Sequence, residues 1–156
     1  MANPLYGSNA VDDDLNHGGH GVQVVTSDTT LVASNSGDTI VIGANAGITV
    51  KLPSPTAGMN FMFMYAGAAA ETEDTTIDTQ SDTNYLLGGL AIHDTDATNA
   101  VALAPILPDG NSNSKMTLKD PSVGTWVKMV SDGTNWYHAG MIQTATAVAV
   151  VYADQS

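Results

Sequence analysis

The segment 124–140 constrains the fold most strongly, because it has the pattern of a β-hairpin. Two runs of alternating β-branched and aromatic residues flank Asp132-Gly133, and glycine accepts the positive φ that a tight hairpin turn requires. A two-residue loop pairs Met129 with Trp136. A four-residue loop, 132–135, shifts the pairs by an even number and leaves each side chain on the same face.

The predicted hairpin carries large apolar side chains on both faces. A sheet that is wet on one side normally alternates apolar with polar residues. The pattern therefore predicts cover on both sides, from a second sheet or from another subunit. One face holds Val127, Met129, Trp136 and His138, and the other holds Trp126, Lys128, Val130 and Tyr137.

The remainder of the chain predicts an all-β domain. No segment has a sustained helical period, and turn signals recur about every 8–12 residues, as in a sandwich or barrel. The predicted fold is an antiparallel sandwich or a jelly-roll or barrel-like domain, with an extended N-terminal arm. Strand signals lie at 22–26, 30–33, 39–42, 48–52, 60–66, 75–79, 85–92, 99–103, 115–119 and 145–152.

The run 60–66 predicts a central strand. Its aromatic residues alternate with Met62 and Met64, so we expect burial on both faces, with the methionines as adaptable core. Gly88-Gly89 predicts a bulge or bend in the strand that contains it. Pro105 and Pro108 are expected to bracket a loop.

The chain is expected to divide into an arm, residues 1–21, and one β domain, residues 22–156. The arm has few apolar anchors, namely Leu5, Tyr6, Val11 and Leu15. The apolar last run, 145–152, either completes a sheet or docks on a neighbouring subunit, because a free apolar edge aggregates in water. As a strand, the run places one set of side chains on one face, Thr146, Val148, Val150 and Tyr152, and the other set on the opposite face, Ala147, Ala149 and Val151.

The charge of the chain excludes two classes of partner. Sixteen acidic residues stand against four lysines and no arginine, which gives a formal net charge of -12 in 156 residues. Nucleic acid and anionic membranes are bound through clustered Lys and Arg, so neither is an expected partner. The acids are mostly Asp beside Gly, Asn, Ser and Thr, which is typical of turns in a loop-rich β protein.

Segments for export, membrane insertion or disulfide bonding are not apparent. The first residues lack a basic and an apolar region, so no signal peptide is predicted. The longest weakly polar run, near Met141 to Tyr152, falls short of the ~18 apolar residues of a membrane span. The chain has no cysteine, so disulfides and thiolate metal sites are excluded.

The sequence offers few candidates for chemistry. His17 and His20 near Asp12-Asp13-Asp14 have metal-ligand residue types, but they lie among glycines in the predicted arm, and the Asp triplet lacks EF-hand spacing. No metal or cofactor is expected. No nucleophile elbow or phosphate loop is present, so we expect no enzymatic activity. The other polar sets considered were His93 with Asp94 and Asp96, Ser131 with Asp132, and Glu71 with Glu73 and Asp74. His138 is expected to be a packed histidine with a satisfied hydrogen bond.

Two stretches resemble a β-domain of tailed-bacteriophage virion proteins. The first, 31–63, contains Ser36-Gly-Asp-Thr-Ile40 and Gly47-Ile-Thr-Val-Lys-Leu-Pro-Ser-Pro-Thr-Ala-Gly58. The second is Val130-Ser-Asp-Gly-Thr-Asn-Trp-Tyr137. Such domains occur in head decoration proteins and in fibres, and the close matches lie at the two ends of the span 31–137.

The resemblance implies a trimeric, all-β, non-enzymatic virion component. The chain is short and has no fibre shaft, so a capsid decoration or cementing protein is expected, a homotrimer bound to the major capsid protein on the outer surface of a phage head. The expected capsid contacts are Leu5, Tyr6, Val11 and Leu15, and the expected inter-subunit contacts are Val148, Val150 and Tyr152. The alternative is a receptor-binding fibre tip or adhesin, in which Trp126 and Tyr137 meet a host-surface glycan.

Overall fold

The computed structural model describes residues 21–43, 47–67, 73–95 and 103–155. The predicted arm, apart from Gly21, lies outside the described residues. So does most of the predicted strand 99–103. The described elements are β1 (Val22–Val25), β2 (Thr29–Thr30), a 3-10 turn (Ala33–Asn35), β3 (Thr39–Ile42), β4 (Ile48–Lys51), β5 (Asn60–Tyr65), β6 (Thr75–Asp78), β7 (Leu86–Asp94), β8 (Leu103–Ile106), β9 (Lys115–Leu118), β10 (Trp126–Ser131), β11 (Trp136–Thr144) and β12 (Val150–Ala153).

The strands form a two-layered all-β sandwich, which confirms the predicted fold class. The larger sheet has seven strands in the order β1-β3-β5-β10-β11-β7-β8. The smaller sheet has five strands in the order β12-β9-β6-β4-β2. A single hydrophobic core lies between them.

The sheets of this sandwich are mixed, whereas the sequence led us to expect antiparallel pairing. Strands β1, β3 and β5 are mutually parallel in the larger sheet, and β2, β4 and β6 are mutually parallel in the smaller one. The chain alternates between the sheets from β1 to β6. Parallel neighbours need a long connection. Here each crossover connection contains a strand of the opposite sheet. In an α/β fold, a helix takes this place in the connection.

The hairpin is present as β10 and β11, with the longer of the two predicted loops. Ser131 pairs with Trp136 and Met129 pairs with His138, so residues 132–135 form a four-residue loop. The two predicted faces are confirmed. Val127, Met129 and Trp136 are completely buried, and His138 is 4% exposed.

Aromatic residues of β5 and β11, the two strands that flank β10, fill the centre of the core. The ring centroids of Phe61 and Trp136 lie 5.8 Å apart in a tilted arrangement, and those of Phe61 and Phe63 lie 6.3 Å apart. Tilted pairs at this separation are favourable beyond the area that they bury. Ile77 and Met116 of the smaller sheet are fully buried in the same core.

The expectation that β5 is buried on both faces is wrong. Phe61, Phe63 and Tyr65 face the core, but Met62 is half-buried and Met64 is 47% exposed. The strand is central within its sheet, between β3 and β10. A two-layered chain covers only the inner face of each sheet, so central position and two-sided burial are separate properties.

The residue types at positions 88 and 105 follow from the strands that neighbour them. The parallel register of β7 with β11 runs without interruption from Leu86 to Asp94, so the predicted bulge is absent from this pairing. A Cβ on Gly88 would lie 2.0 Å from the carbonyl oxygen of His138, and its φ is +117°. Pro105 lies within β8 rather than in a loop, at the edge of the sheet, where its missing N–H costs no ladder hydrogen bond.

Several aspartate carboxylates accept hydrogen bonds in turns, as predicted. The Asp109 carboxylate accepts hydrogen bonds from the backbone of Asn111, Ser112 and Asn113. Bonds from the Ser112 hydroxyl and this backbone lower the pKa of Asp109 to about 2. Asp78 and Asp132 likewise accept bonds from backbone N–H groups two residues on, whereas Asp28 and Asp38 accept them from distant segments of the chain.

Two predicted strands are shorter than expected. Residues 30–33 end in the 3-10 turn, because the Asn35 side chain accepts a hydrogen bond from the backbone N–H of Val32. In the last run, 145–149 is irregular and only 150–153 forms a strand. The predicted alternation therefore fails before β12, and the adjacent residues Ala149 and Val150 are both buried.

One-sided burial of β5 makes a testable contrast between adjacent residues. Phe63→Ala should lower the free energy of unfolding by about 3–5 kcal/mol, because it opens a cavity in the core. Met64→Ala should lower it by less than about 1 kcal/mol, because Met64 faces outward. Urea unfolding followed by tryptophan fluorescence measures both. Equal losses would contradict this orientation of the strand.

Candidate functional site

The most distinctive surface is the outward face of the larger sheet. Alternate residues of its strands point away from the core and lie in rows across the sheet, because the registers align them. We call this surface the outward face; it comprises Val22, Val24, Thr39, Val41, Asn60, Met62, Met64, Leu87, Gly89, Ala91, His93, Pro105, Trp126, Lys128, Val130, Tyr137, Ala139, Met141 and Gln143.

One row of the outward face is apolar across the whole sheet. Met64 is 47% exposed and Trp126 is 37% exposed, and the two residues are register partners on adjacent strands. The row consists of Val24, Val41, Met64, Trp126, Met141, Ala91 and Pro105, one residue from each strand. Val24, Met64, Trp126 and Pro105 are exposed, whereas Val41, Met141 and Ala91 are half-buried. Exposed apolar surface on a sheet makes this row a candidate for interactions.

The opposite surface of the sandwich is different. The outward residues of the central strands of the smaller sheet are polar, and the Thr76 and Thr117 hydroxyls hydrogen-bond across the strands at 3.1 Å. The two outer surfaces therefore contrast chemically, and only that of the larger sheet is apolar. The polar residues are Thr49, Lys51, Thr76, Asp78, Lys115 and Thr117.

Charged residues also distinguish the outward face of the larger sheet from the rest of the described surface. The chain has sixteen acidic residues, but none of the residues that define the outward face is acidic. Lys128 is the single lysine of this face. Lys128 has no hydrogen-bond or ion-pair partner among the described residues, whereas Lys119 pairs with Asp74 elsewhere. The outward face thus presents one free cation within an apolar surface.

A shallow depression lies beside Lys128. Its volume is about 210 Å³, and it is lined by Lys128, Val130, Tyr137, His138 and Ala139. Pockets that enclose a cofactor or a drug-sized ligand usually measure about 300–1,000 Å³. The depression therefore fits a single side chain or a similar group rather than a whole cofactor.

The hairpin loop positions the Tyr137 ring at one end of this face. Backbone hydrogen bonds from Asn135 and Thr134, together with one from the Tyr137 hydroxyl, lower the pKa of Asp132. The same contact with Asp132 raises the pKa of Tyr137. The ring is 47% exposed, and its hydroxyl is tied to the loop.

His138 faces the other way and links the two sheets. Its Nε2 lies 2.7 Å from the hydroxyl oxygen of Tyr152 on β12, which belongs to the smaller sheet. Nδ1 is buried without a hydrogen bond of normal geometry, so the prediction of a satisfied histidine holds for only one nitrogen. Burial lowers the pKa of His138 to about 4, an effect that the Leu87 backbone opposes, and burial raises the pKa of Tyr152.

The predicted inter-subunit residues differ in how exposed their side chains are. Val150 is 2% exposed and belongs to the core, and Tyr152 is half-buried against His138. Val148 is 60% exposed, and Val151, which the sequence did not single out, is 38% exposed. A role in contacts between subunits stays a prediction for all of them.

The polar sets considered for chemistry do not form a site in the described residues. The Ser131 hydroxyl accepts a bond from the Gly133 N–H, which is a turn contact. Glu73 accepts a bond from the Gly47 N–H, and Asp74 pairs with Lys119. No group of three or more metal-ligating side chains occurs within the ranges described. Glu71, Asp96, His17, His20, Asp12, Asp13, Asp14 and the predicted capsid contacts Leu5, Tyr6, Val11 and Leu15 lie outside these ranges.

The sequence identified Trp126, Lys128, Val130 and Tyr137 as one face but missed the rest of the row. Met64 was assigned to the core because methionine suits both core and interface. The missing information was strand order, which places Met64 next to Trp126. Within the described parts of the chain there is also no helix with the length and hydropathy of a membrane span.

Comparison with known families gives no assignment. No protein-family model matches the chain, and no curated protein matches it significantly. Function is therefore inferred from the sequence motifs and from the surfaces described above.

Burial of His138 predicts a pH dependence of stability. The folded chain resists protonation of a group whose pKa is about 4, whereas the unfolded chain binds the proton near pH 6.5. Above about pH 7, His138 is neutral in both states and should not change the free energy of unfolding. Between pH 7 and pH 5, its burial should lower the free energy of unfolding by about 2 kcal/mol. Urea unfolding of the wild type and of His138→Gln at both pH values measures it.

The variant serves as the control for all other titrating groups. Between pH 7 and pH 5, His138→Gln should lose about 2 kcal/mol less stability than the wild type, because only the residue at position 138 differs. An identical pH dependence in both proteins would show that His138 does not resist protonation in the fold.

Proposed function

We propose that this protein is a non-enzymatic virion component, a capsid decoration protein that binds the outer surface of a phage head as a homotrimer and stabilises it. The partner is the major capsid protein. Support comes from the motifs at 31–63 and 130–137, which resemble those of phage virion domains, and from the outward face.

The observation that carries the proposal is an apolar, acid-free face on a protein of net charge -12. Seven strands with ~4.8 Å spacing and about five residues each give a projected area on the order of 500 Å². Exposed patches of this size on a monomer are often functional. Because the acids among the described residues lie elsewhere, a protein partner can cover this face without desolvating their carboxylates.

The outward face is the surface proposed to contact the shell. Lys128 supplies one cation for an acidic group of the capsid subunit, and the apolar row supplies area. A ligand that binds only the assembled shell stabilises it by mass action, by RT ln(1 + [L]/Kd) per site. The predicted contacts Leu5, Tyr6, Val11 and Leu15 of the arm would add to this surface on binding.

Trimer formation is assigned to the C-terminal strand. Among the described strands, β12 lies at an edge of the smaller sheet and pairs with β9 alone. Edge strands present unpaired backbone groups, which a neighbouring copy can use. Val151 of β12 and Val148 of the irregular segment before it are exposed, whereas Val150 and Tyr152 anchor the strand from within the chain.

The two surfaces are tested by two variants. Met64→Glu should keep the native mass of the wild type and weaken capsid binding at least about thirtyfold, because a charge is buried in the interface. Val148→Asp should instead shift the native mass towards the monomer. Native mass spectrometry and co-sedimentation with undecorated capsids measure the two effects.

The outcomes separate the parts of the proposal. Normal capsid binding by Met64→Glu would remove the outward face from the shell contact. A wild-type chain that is monomeric and does not sediment with capsids would overturn the decoration function itself.

A second function, glycan binding by a fibre tip, is favoured by one observation. Trp126 and Tyr137 are 37% and 47% exposed on the same face, and exposed aromatic rings stack on sugars. Trp126→Ala and Tyr137→Ala should each lower glycan affinity at least about tenfold on a glycan array. If the wild type binds no glycan on the array, this second function is excluded.

A further inference from the structure

Lys128 is placed directly across the sheet from the point where the N-terminal segment joins it. The registers align Val22, Thr39, Met62 and Lys128 in one row. Val22 is the first residue of β1, the edge strand. Three strand spacings separate Val22 from Lys128, which amounts to ~14 Å.

The segment that precedes β1 is long enough to span this distance. Asp14 is eight residues before Val22, and eight extended residues reach ~26 Å. The residues between them include Gly18, Gly19 and Gly21, which permit the chain to turn back over the sheet. The acids Asp12 to Asp14 are therefore within reach of Lys128 of the same chain.

The chemistry of this segment complements that of the outward face. Three carboxylates stand between two apolar residues in Val11-Asp-Asp-Asp-Leu15. The outward face offers the ammonium group of Lys128, which has no partner among the described residues, at the rim of an apolar depression of about 210 Å³. Carboxylate and ammonium attract each other, and the flanking apolar side chains match the apolar row.

We propose that residues 1–20 cover the outward face of their own chain in the free protein, with Asp12, Asp13 and Asp14 at Lys128 and with Val11 and Leu15 on the apolar surface. Attachment in the same chain is favoured because the linker keeps the segment at a high effective concentration. The inference rests on the proposed function, in which the capsid displaces the segment from its shell-binding surface. Until then the segment shields an apolar surface from self-association.

Trp126 reports on this contact. It is 37% exposed on the outward face, whereas Trp136, the other tryptophan, is completely buried. Acrylamide quenching of the full-length chain therefore measures the accessibility of Trp126, and Trp126→Phe identifies its share of the signal. No capsid is present, so the assay does not depend on the decoration function.

Neutralising either side of the contact should expose Trp126. The triple variant D12N/D13N/D14N and the variant Lys128→Gln should each lower the docking equilibrium constant about fivefold, seen as greater quenching and red-shifted emission. High salt should do the same to the wild type and change the variants little. The matched controls are Lys115→Gln on the smaller sheet and Asp82→Asn in an exposed loop, which should quench like the wild type.

Charge reversal distinguishes contact from a change of fold. Lys128→Asp should expose Trp126, and adding D12K/D13K/D14K to the same chain should restore protection. Quenching that is identical in the wild type and all variants would overturn the inference while leaving the capsid experiments unaffected. Protection that rises with protein concentration would assign the segment to a neighbouring copy and would also overturn it.

Discussion

The packing of the two inner sheet faces is the contact on which the rest of the structure depends. Phe61, Phe63 and Trp136 of the larger sheet meet the buried residues of the smaller sheet in one core. Burial of apolar area is the dominant favourable term in folding. Each sheet offers one face to this core. In a two-layered chain the apolar residues on the other face of the larger sheet remain outside.

The chain path reinforces this packing. From β1 to β6 each strand is followed by one in the opposite sheet, so every connection ties the two layers together. The contact between His138 and Tyr152 adds a polar link at the last strand. It holds the edge strand β12 against the body of the domain, and its cost is a buried histidine nitrogen without a partner.

Charge and apolar area are kept apart on the surface. Carboxylates such as those of Asp109 and Asp132 accept backbone hydrogen bonds in the loops, where they remain hydrated. The outward face has none, and its single lysine is unpaired among the described residues. Because of this division, a partner that covered the outward face would not have to desolvate carboxylates of the described residues. The proposals for shell binding and for shielding by the N-terminal segment both depend on it.

Local patterns in the sequence were sufficient for most of the strands, the hairpin and its two faces, but not for β8 or for the start of the last strand. The period of two determines which side chains share a face, and Asp132-Gly133 marks the turn. Strand order was beyond such patterns, because neighbours in a sheet are brought together by the whole chain. The parallel pairing of β3 with β5, the row that joins Met64 to Trp126, and the link from His138 to Tyr152 are long-range contacts. The sequence by itself determined that both faces of the hairpin are apolar. Only the tertiary structure decided which of them is covered, because that depends on where the second sheet packs.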